Sequence, residues 1–347
     1  MGFESNDYLQ WYLPRMMDSS AVNLHSSGVR ALEPREIDVP AVDPWQSSAL
    51  FEQGLASWLG IAPDELLFTP GATGGTLLVL LSLASAGDRI LVERPVYEPM
   101  LRQAGRLGDV ERFERIASLG WRLPLSEVLS RITERTALLM ITEPSNPSGT
   151  LLPREQVLAL ADAARARGAL LLVNEVYLGY THAPSYHGAA PNILVVSSLS
   201  KLLGAYWARL GWISGPAPVI DRLRLAHKNM SMPTAPGAAV GLGVLERADE
   251  LRETARAISS SGMETVDSWV SSTPGLSWTR PQGPGFGCVH LPEGVDDDVR
   301  LAERLHEEHE VLVVPGTHFE VPGSLRISWL QSGEDLGKGL ERIARAL

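Results

Sequence analysis

The stretch Ser198-Leu199-Ser200-Lys201-Leu202-Leu203-Gly204, followed by Arg209-Leu210-Gly211, comes directly after the apolar run Ile193-Leu194-Val195-Val196. A short run apolar on both faces reads as a buried strand of a parallel sheet. Lys201 then stands at a strand's carboxyl end, the edge where open α/β sheets bind ligands. Small hydroxyls precede the lysine and an arginine follows it. That combination suits a phosphate, because a guanidinium offers a fork of donors to the oxygens. Without such neighbours a lysine reads as an ordinary surface residue.

Outward from this point the same kind of run recurs. Arg89-Ile90-Leu91-Val92-Glu93, Ala137-Leu138-Leu139-Met140-Ile141-Thr142 and Leu170-Leu171-Leu172-Val173 all precede polar turns. Helical spacing lies between them, as in residues 154–167, and residues 77–83 read as a buried helix. The alternation predicts an α/β fold with a mainly parallel sheet between helices. Beyond about residue 245 the texture changes. A long helix is expected over 245–270, then short strands and one helix near 299–309, forming a smaller α+β C-terminal domain. Residues 1–40 read as a loop-like arm wrapping the body, 41–245 as the large domain and 246–347 as the small one.

Composition narrows the function. The 347 residues carry 30 Lys and Arg against 41 Asp and Glu, a formal charge of −11. That balance opposes non-specific nucleic-acid binding, which rests on phosphate neutralisation. The lone Cys288 cannot form an internal disulfide, so a reducing, cytoplasmic setting is expected. No signal peptide is expected from residues 1–7, and no apolar stretch approaches the ~20 residues of a membrane span. No internal repeat or heptad run stands out.

Further segments, in chain order, carry chemistry. Thr69-Pro70-Gly71-Ala72-Thr73-Gly74 is a glycine-hydroxyl turn entering a helix, where free N–H groups and the helix dipole favour phosphate. Arg94-Pro95-Val96-Tyr97, Glu143-Pro144-Ser145-Asn146-Pro147-Ser148-Gly149 and Asn174-Glu175-Val176-Tyr177 each follow a strand. Pro315-Gly316-x-x-Phe319 and Ser324-Leu325-Arg326-Ile327-Ser328 lie near the C-terminus. Gly283-Pro284-Gly285-Phe286-Gly287 lacks the strand-turn-helix context of a dinucleotide loop.

Taken together, and in this order, these segments resemble the class I/II aminotransferases, pyridoxal-phosphate enzymes of fold type I. The resemblance runs from Asn23-Leu24 to Arg326. It implies pyridoxal 5'-phosphate as cofactor, held as an internal aldimine on Lys201, the catalytic residue. It puts Ala72, Thr73, Ser198 and Arg209 on the phosphate and Tyr97 on the pyridine ring. Asn146 and Tyr177 would meet the phenolate oxygen, and Asn174 would face the pyridine nitrogen. Arg326 would bind the substrate α-carboxylate, for which a fork suits better than a point charge. Gly28, in Asn23-Leu24-His25-Ser26-Ser27-Gly28, would lie by the substrate, with His25 a further candidate contact. A homodimer is implied, with an amino acid as substrate and neither nucleic acid nor membrane as partner.

Two departures stand out. Asn174 replaces the family's usual Asp, and Pro44-Trp45-Gln46-Ser47-Ser48 stands where the family supplies a cross-subunit Tyr. Aminotransfer is the leading reading. Elimination, replacement, cyclisation, decarboxylation or oxidation of an amino acid on the same cofactor is the alternative, suggested by Asn174. A cofactor-binding regulator on the same fold is disfavoured by the acidic charge and the lack of a DNA-reading domain. Metal binding is not expected: His306-Glu307-Glu308-His309 lacks the metalloprotease spacing and reads as a solvated helix end. Tyr8, Trp11, Tyr12 and Trp207 hint at an aromatic mouth, and the Asn229-Met230-Ser231 sequon is one in form only.

Overall fold

Every apolar run read from the sequence becomes an inner strand of one seven-stranded sheet in the computed structural model, which describes residues 6–16, 18–85, 87–230, 235–295 and 297–347. In spatial order the strands are Leu66–Pro70, Leu210–Ser214, Ile193–Ser198, Leu170–Asn174, Thr136–Thr142, Arg89–Arg94 and Asp109–Glu114. Leu210–Ser214 runs antiparallel to both neighbours, and the other pairings are parallel. The runs are continuous because both faces are covered. Ile90, Val92, Leu138, Met140, Leu172, Leu194 and Val196 pack to one side. Leu91, Leu139, Ile141, Leu171, Val173, Ile193 and Val195 pack to the other. Alternate residues of one strand thus serve two separate cores.

A second sheet, of strands Val314–Pro315, Ser324–Ser328, Phe286–His290 and Ser277–Trp278, is wholly antiparallel. Helices Asp298–His309 and Gly333–Ala346 share its core through Leu301, Leu305, Leu336, Leu340 and Ile343. The long helix Ala248–Ser272 spans the two regions: Ala248 and Ala255 join a core of the large sheet's side, Val266 and Val270 that of the small sheet.

Four local expectations change. The first part of the arm is a helix, Asp7–Arg15, capped by the Asn6 side chain, and its Tyr8 and Trp11 are buried in the small-sheet core. The helix expected over 245–270 is broken at Arg247, so Ala235–Glu246 and Ala248–Ser272 are separate. Gly333–Ala346 is an additional terminal helix, started by Ser332 accepting from the Asp335 N–H. His306 does not face only water, since its Nε2 lies 2.7 Å from Asp18. Residues 1–5 and Ser231 of the sequon lie outside the described residues. Among the described residues no helix is long and apolar enough to cross a membrane.

One buried ion cluster ties the carboxyl ends of three strands. Arg115, just past Asp109–Glu114, reaches Glu93 at 2.6 Å and Glu143 at 2.5 Å, and all three side chains are fully buried. Glu93 also accepts from the Thr142 N–H, Glu143 accepts from the Leu152 N–H, and Arg115 donates to the Thr142 carbonyl. Removing one partner from such a cluster leaves buried charge uncompensated and typically costs ~3–5 kcal/mol. Arg115→Leu is therefore expected to lower the urea midpoint of unfolding sharply. Adding Glu93→Gln and Glu143→Gln to the same chain should recover much of the loss. A single variant as stable as wild type would show that the cluster carries no such strain.

Candidate active site

The strand Ile193–Ser198 delivers its chain into a short helix, Leu199–Leu203, which ends at Gly204 with φ +72°. A Cβ on Gly204 would sit 2.5 Å from the Arg30 carbonyl, so only glycine fits the turn. Lys201 on this helix is held through its backbone: its carbonyl accepts from the Tyr180 hydroxyl at 2.6 Å and from the Val29 N–H at 3.1 Å. Its Nζ lies 2.9 Å from Ser27 Oγ and 5.3 Å from the Tyr206 ring centroid. It pairs with no carboxylate among the described residues. Burial first, then the charges of Arg326 and Arg209, push the Lys201 ammonium down to about 7.

Beside the lysine is a cradle of unused donors. Helix Gly71–Leu83 starts without a side-chain cap, leaving first-turn N–H groups open toward a cavity lined by Ala72 and Thr73. Arg209 faces the same place, and its Nη2 lies so near Gly71 that a Cβ there would be 2.8 Å away. Arg209 holds φ +53°, a left-handed conformation that costs a non-glycine residue ~1–2 kcal/mol. Ser198 lines the cavity too, and the buried Ser200 hydroxyl has no partner among the described residues. A helix N-terminus, an arginine and two serines make a site for a small dianion.

The cavity as a whole is about 170 Å³, and away from the cradle it is flanked by Tyr97, Met100, Asn146, Asn174, Val176 and Tyr177. Asn174 has a defined amide orientation. Its Oδ1 accepts from the Val176 N–H at 3.2 Å, so its Nδ2 must point the other way, toward Met100 Sδ at 3.3 Å. The Tyr177 hydroxyl donates to Ser27 at 3.2 Å.

Arg326 lies fully buried behind this pocket. It donates to Asn146 Oδ1 at 3.1 Å and to the His25 carbonyl at 2.7 Å, while its Nε is unpartnered. Its guanidinium stands between the Phe319 and Phe286 rings, 4.8 and 5.4 Å from their centroids. His25 is buried with both ring nitrogens unpartnered among the described residues, and burial lowers its pKa to about 4, so it is neutral.

Thus Ala72, Thr73, Tyr97, Asn146, Asn174, Tyr177, Ser198, Lys201 and Arg209 come together around one cavity, with Arg326 directly behind Asn146. Gly28 does not line it. Its backbone abuts Lys201 instead, where a Cβ would be 2.8 Å from the lysine Cα. Tyr8 and Tyr12 line the mouth, whereas Trp207 is exposed and donates to the Leu32 carbonyl. Ser27 and Tyr206 are lining residues that motif reading passed over. Ser27 sat within the quoted 23–28 segment, and only the fold reveals that it meets Lys201.

The fold and the pocket define a pyridoxal-phosphate-dependent enzyme. The sequence profile described as Aminotransferase class I and II matches residues 36–343, and the chain belongs to that family. The aspartate/prephenate aminotransferase of Thermus thermophilus is 30% identical over 302 residues, covering 83% of this chain and 77% of that protein. A PLP-dependent aminotransferase from Streptococcus suis superposes with a TM-score of 0.88 at 25% identity, covering 100% of this chain and 98% of that one. The PLP-dependent cyclase OrfR shares the fold, with a TM-score of 0.85 at 22% identity over 99% of this chain and 97% of that one. The protein is an enzyme, and its cofactor is pyridoxal phosphate.

The lowered ammonium pKa carries a pH consequence. Only the neutral amine attacks an aldehyde, and for Lys201 that form dominates above about pH 7. Where Lys201 is the amine that captures pyridoxal phosphate, stopped-flow uptake by the stripped protein should slow tenfold per pH unit below 7 and level off above it. A rate still climbing tenfold per unit between pH 8 and 10 would show an unperturbed lysine.

Proposed function

We propose that this enzyme is an aminotransferase acting on an α-amino acid, with Lys201 carrying the cofactor covalently on Nζ. The observation that carries the reading is the Lys201 amine, set in the pocket without a carboxylate partner and reactive near neutral pH. The pocket's own make-up fits pyridoxal phosphate. The uncapped helix start, Arg209 and the serines match a phosphate, and the partnerless Ser200 hydroxyl and strained Arg209 backbone mark a place built for a ligand.

When bound, the cofactor supplies the electron sink that makes a substrate Cα–H acidic. On this reading Ala72, Thr73, Ser198 and Arg209 bind its phosphate, Tyr97 covers its ring, and Asn146 and Tyr177 bond its phenolic oxygen. Arg326 clamps the substrate carboxylate with the donors that Asn146 and the His25 carbonyl leave free, including Nε. The freed Lys201 amine moves the proton at Cα. A homodimer goes with this reading. It is supported by Trp45, 94% exposed at the start of helix Pro44–Leu59, in the stretch where the family's cross-subunit contact originates.

A second reading rests on Asn174. With its oxygen committed to the Val176 N–H, the amide offers a donor to the pocket and no negative charge. Such a group favours an unprotonated ring nitrogen, a weaker electron sink that suits a non-transaminating reaction.

Three outcomes test these assignments. Lys201→Ala should abolish borohydride-stable cofactor attachment, and attachment at another residue would overturn the assignment. Arg326→Ala removes a charge-assisted contact worth ~1.5–3 kcal/mol, so amino-acid affinity, read by spectral titration, should fall at least tenfold. Arg326→Lys should also bind less tightly than wild type. Asn174→Asp is to be compared with wild type for half-transamination and for other products. A tenfold gain, equal to ~1.4 kcal/mol, would make Asn174 a brake and favour the second reading. A loss in every activity, with brisk wild-type turnover of a keto acid, would eliminate it.

A further inference from the structure

Ser27 touches the one amine on which the proposed chemistry turns, and the chain around it is arranged to keep it there. The Asn23 side chain accepts the N–H groups of His25 and Ser26 at 3.2 and 3.1 Å, closing a turn. Ser26 Oγ donates to the Gly28 carbonyl, and the Val29 N–H donates to the Lys201 carbonyl. At Gly28 an added Cβ would lie 2.0 Å from Tyr206 Oη and 2.7 Å from the Lys201 carbonyl oxygen. From the other side Arg326 grips the His25 carbonyl. The loop is thus laid directly on the backbone of residue 201, with Ser27 buried and its Oγ 2.9 Å from Nζ and 3.2 Å from the Tyr177 hydroxyl.

We propose that Ser27 is a catalytic hydroxyl, which holds the free amine of Lys201 in place and links it to the Tyr177 phenol. A serine hydroxyl has one donor and two acceptor sites. While Tyr177 donates to one lone pair, the Ser27 proton can point at a neutral amine, or the second lone pair can accept from an ammonium. Both protonation states are therefore served without moving a heavy atom. When the Tyr177 proton is given elsewhere, Ser27 can donate to the Tyr177 oxygen instead. An alanine would take a hydrogen-bond partner from both Nζ and Tyr177.

The proposal rests on the reading of Lys201 as the cofactor-bearing lysine, and the test separates the two. Wild type, Ser27→Ala and Ser27→Thr are loaded with pyridoxal phosphate, reduced with borohydride and mapped by peptide mass. Each is then stripped, and recapture of pyridoxal phosphate at pH 8 is timed. A single turnover with an amino donor is also followed, with and without deuterium at Cα. Ser27→Ala should slow recapture by about three- to tenfold, the span of one neutral hydrogen bond. It should also raise the Cα-deuterium isotope effect, which a purely structural role would leave unmoved. Ser27→Thr, which keeps the hydroxyl, should restore both. Label on Lys201 in every variant, with unchanged recapture and isotope effect in Ser27→Ala, overturns the Ser27 proposal alone. A threonine variant as impaired as alanine overturns it too, as the hydroxyl would not be the cause. If Ser27→Ala fails to fold, wild-type behaviour in Ser27→Thr supports the proposal and impairment there refutes it. Label away from Lys201 in wild type fells the lysine reading and this proposal with it.

Discussion

Arg115 carries a full charge into the fully buried interior, and two carboxylates share it. Burial raises both acids, Glu143 to about 7, against the pull of Arg115. One cation between two acids leaves one negative charge too many, and burial together with the repulsion between Glu93 and Glu143 favours a proton on the pair, with Arg115 bonded to both. What depends on this is the site. Glu93 leads into Arg94-Pro95-Val96-Tyr97, and Glu143 leads into Pro144-Ser145-Asn146. The same guanidinium therefore registers the segments that bring Tyr97 and Asn146 to the cavity. A hydrophobic cluster could hold the strands together, but it would not fix their ends with directional bonds.

The electrostatics of the pocket run against those of the chain. Net charge is −11, yet the charged residues lining the cavity are Lys201 and Arg209, with Arg326 behind them and no acid among the described lining residues. An anionic ligand is drawn toward this positive recess, and low-dielectric walls sharpen the effect. Burial first, and then the charges of Arg326 and Arg209, weaken the hold of Lys201 on its proton. The cations that suit the recess to an anion thus add to what burial already does to the amine.

Much of this was legible in the sequence because strands buried on both faces and lysine, arginine and glycine at set intervals leave local marks. The inner strands and the order of segments around Lys201 are of that kind. The Asp7–Arg15 helix was not legible, because it is short, carries Pro14 within it and lies in a stretch rich in aromatic and turn-forming residues, and burial of Tyr8 and Trp11 ties it to the small-sheet core. The Gly333–Ala346 helix did leave a signal, Ser332 three residues before Asp335, which was passed over. The Arg115 cluster and the Ser27 contact join residues far apart in sequence, and spacing carries no trace of them. The amide orientation of Asn174 depends on a neighbouring backbone N–H, which only a folded chain positions.

The cradle beside Lys201 has a consequence for how the protein matures. One half comes from residues 71–73 and the other from Arg209, and five strands of the large sheet lie between them in sequence. They meet only because Leu66–Pro70 pairs with Leu210–Ser214, whose register sets Thr69 opposite Gly211. That pairing closes a long loop, so its entropic cost is met over a wide sequence separation. A chain in which it has not formed has the lysine but not the cradle. On the proposed reading of the site, the cofactor is held only by chains that have closed the sheet, and so stabilises those alone.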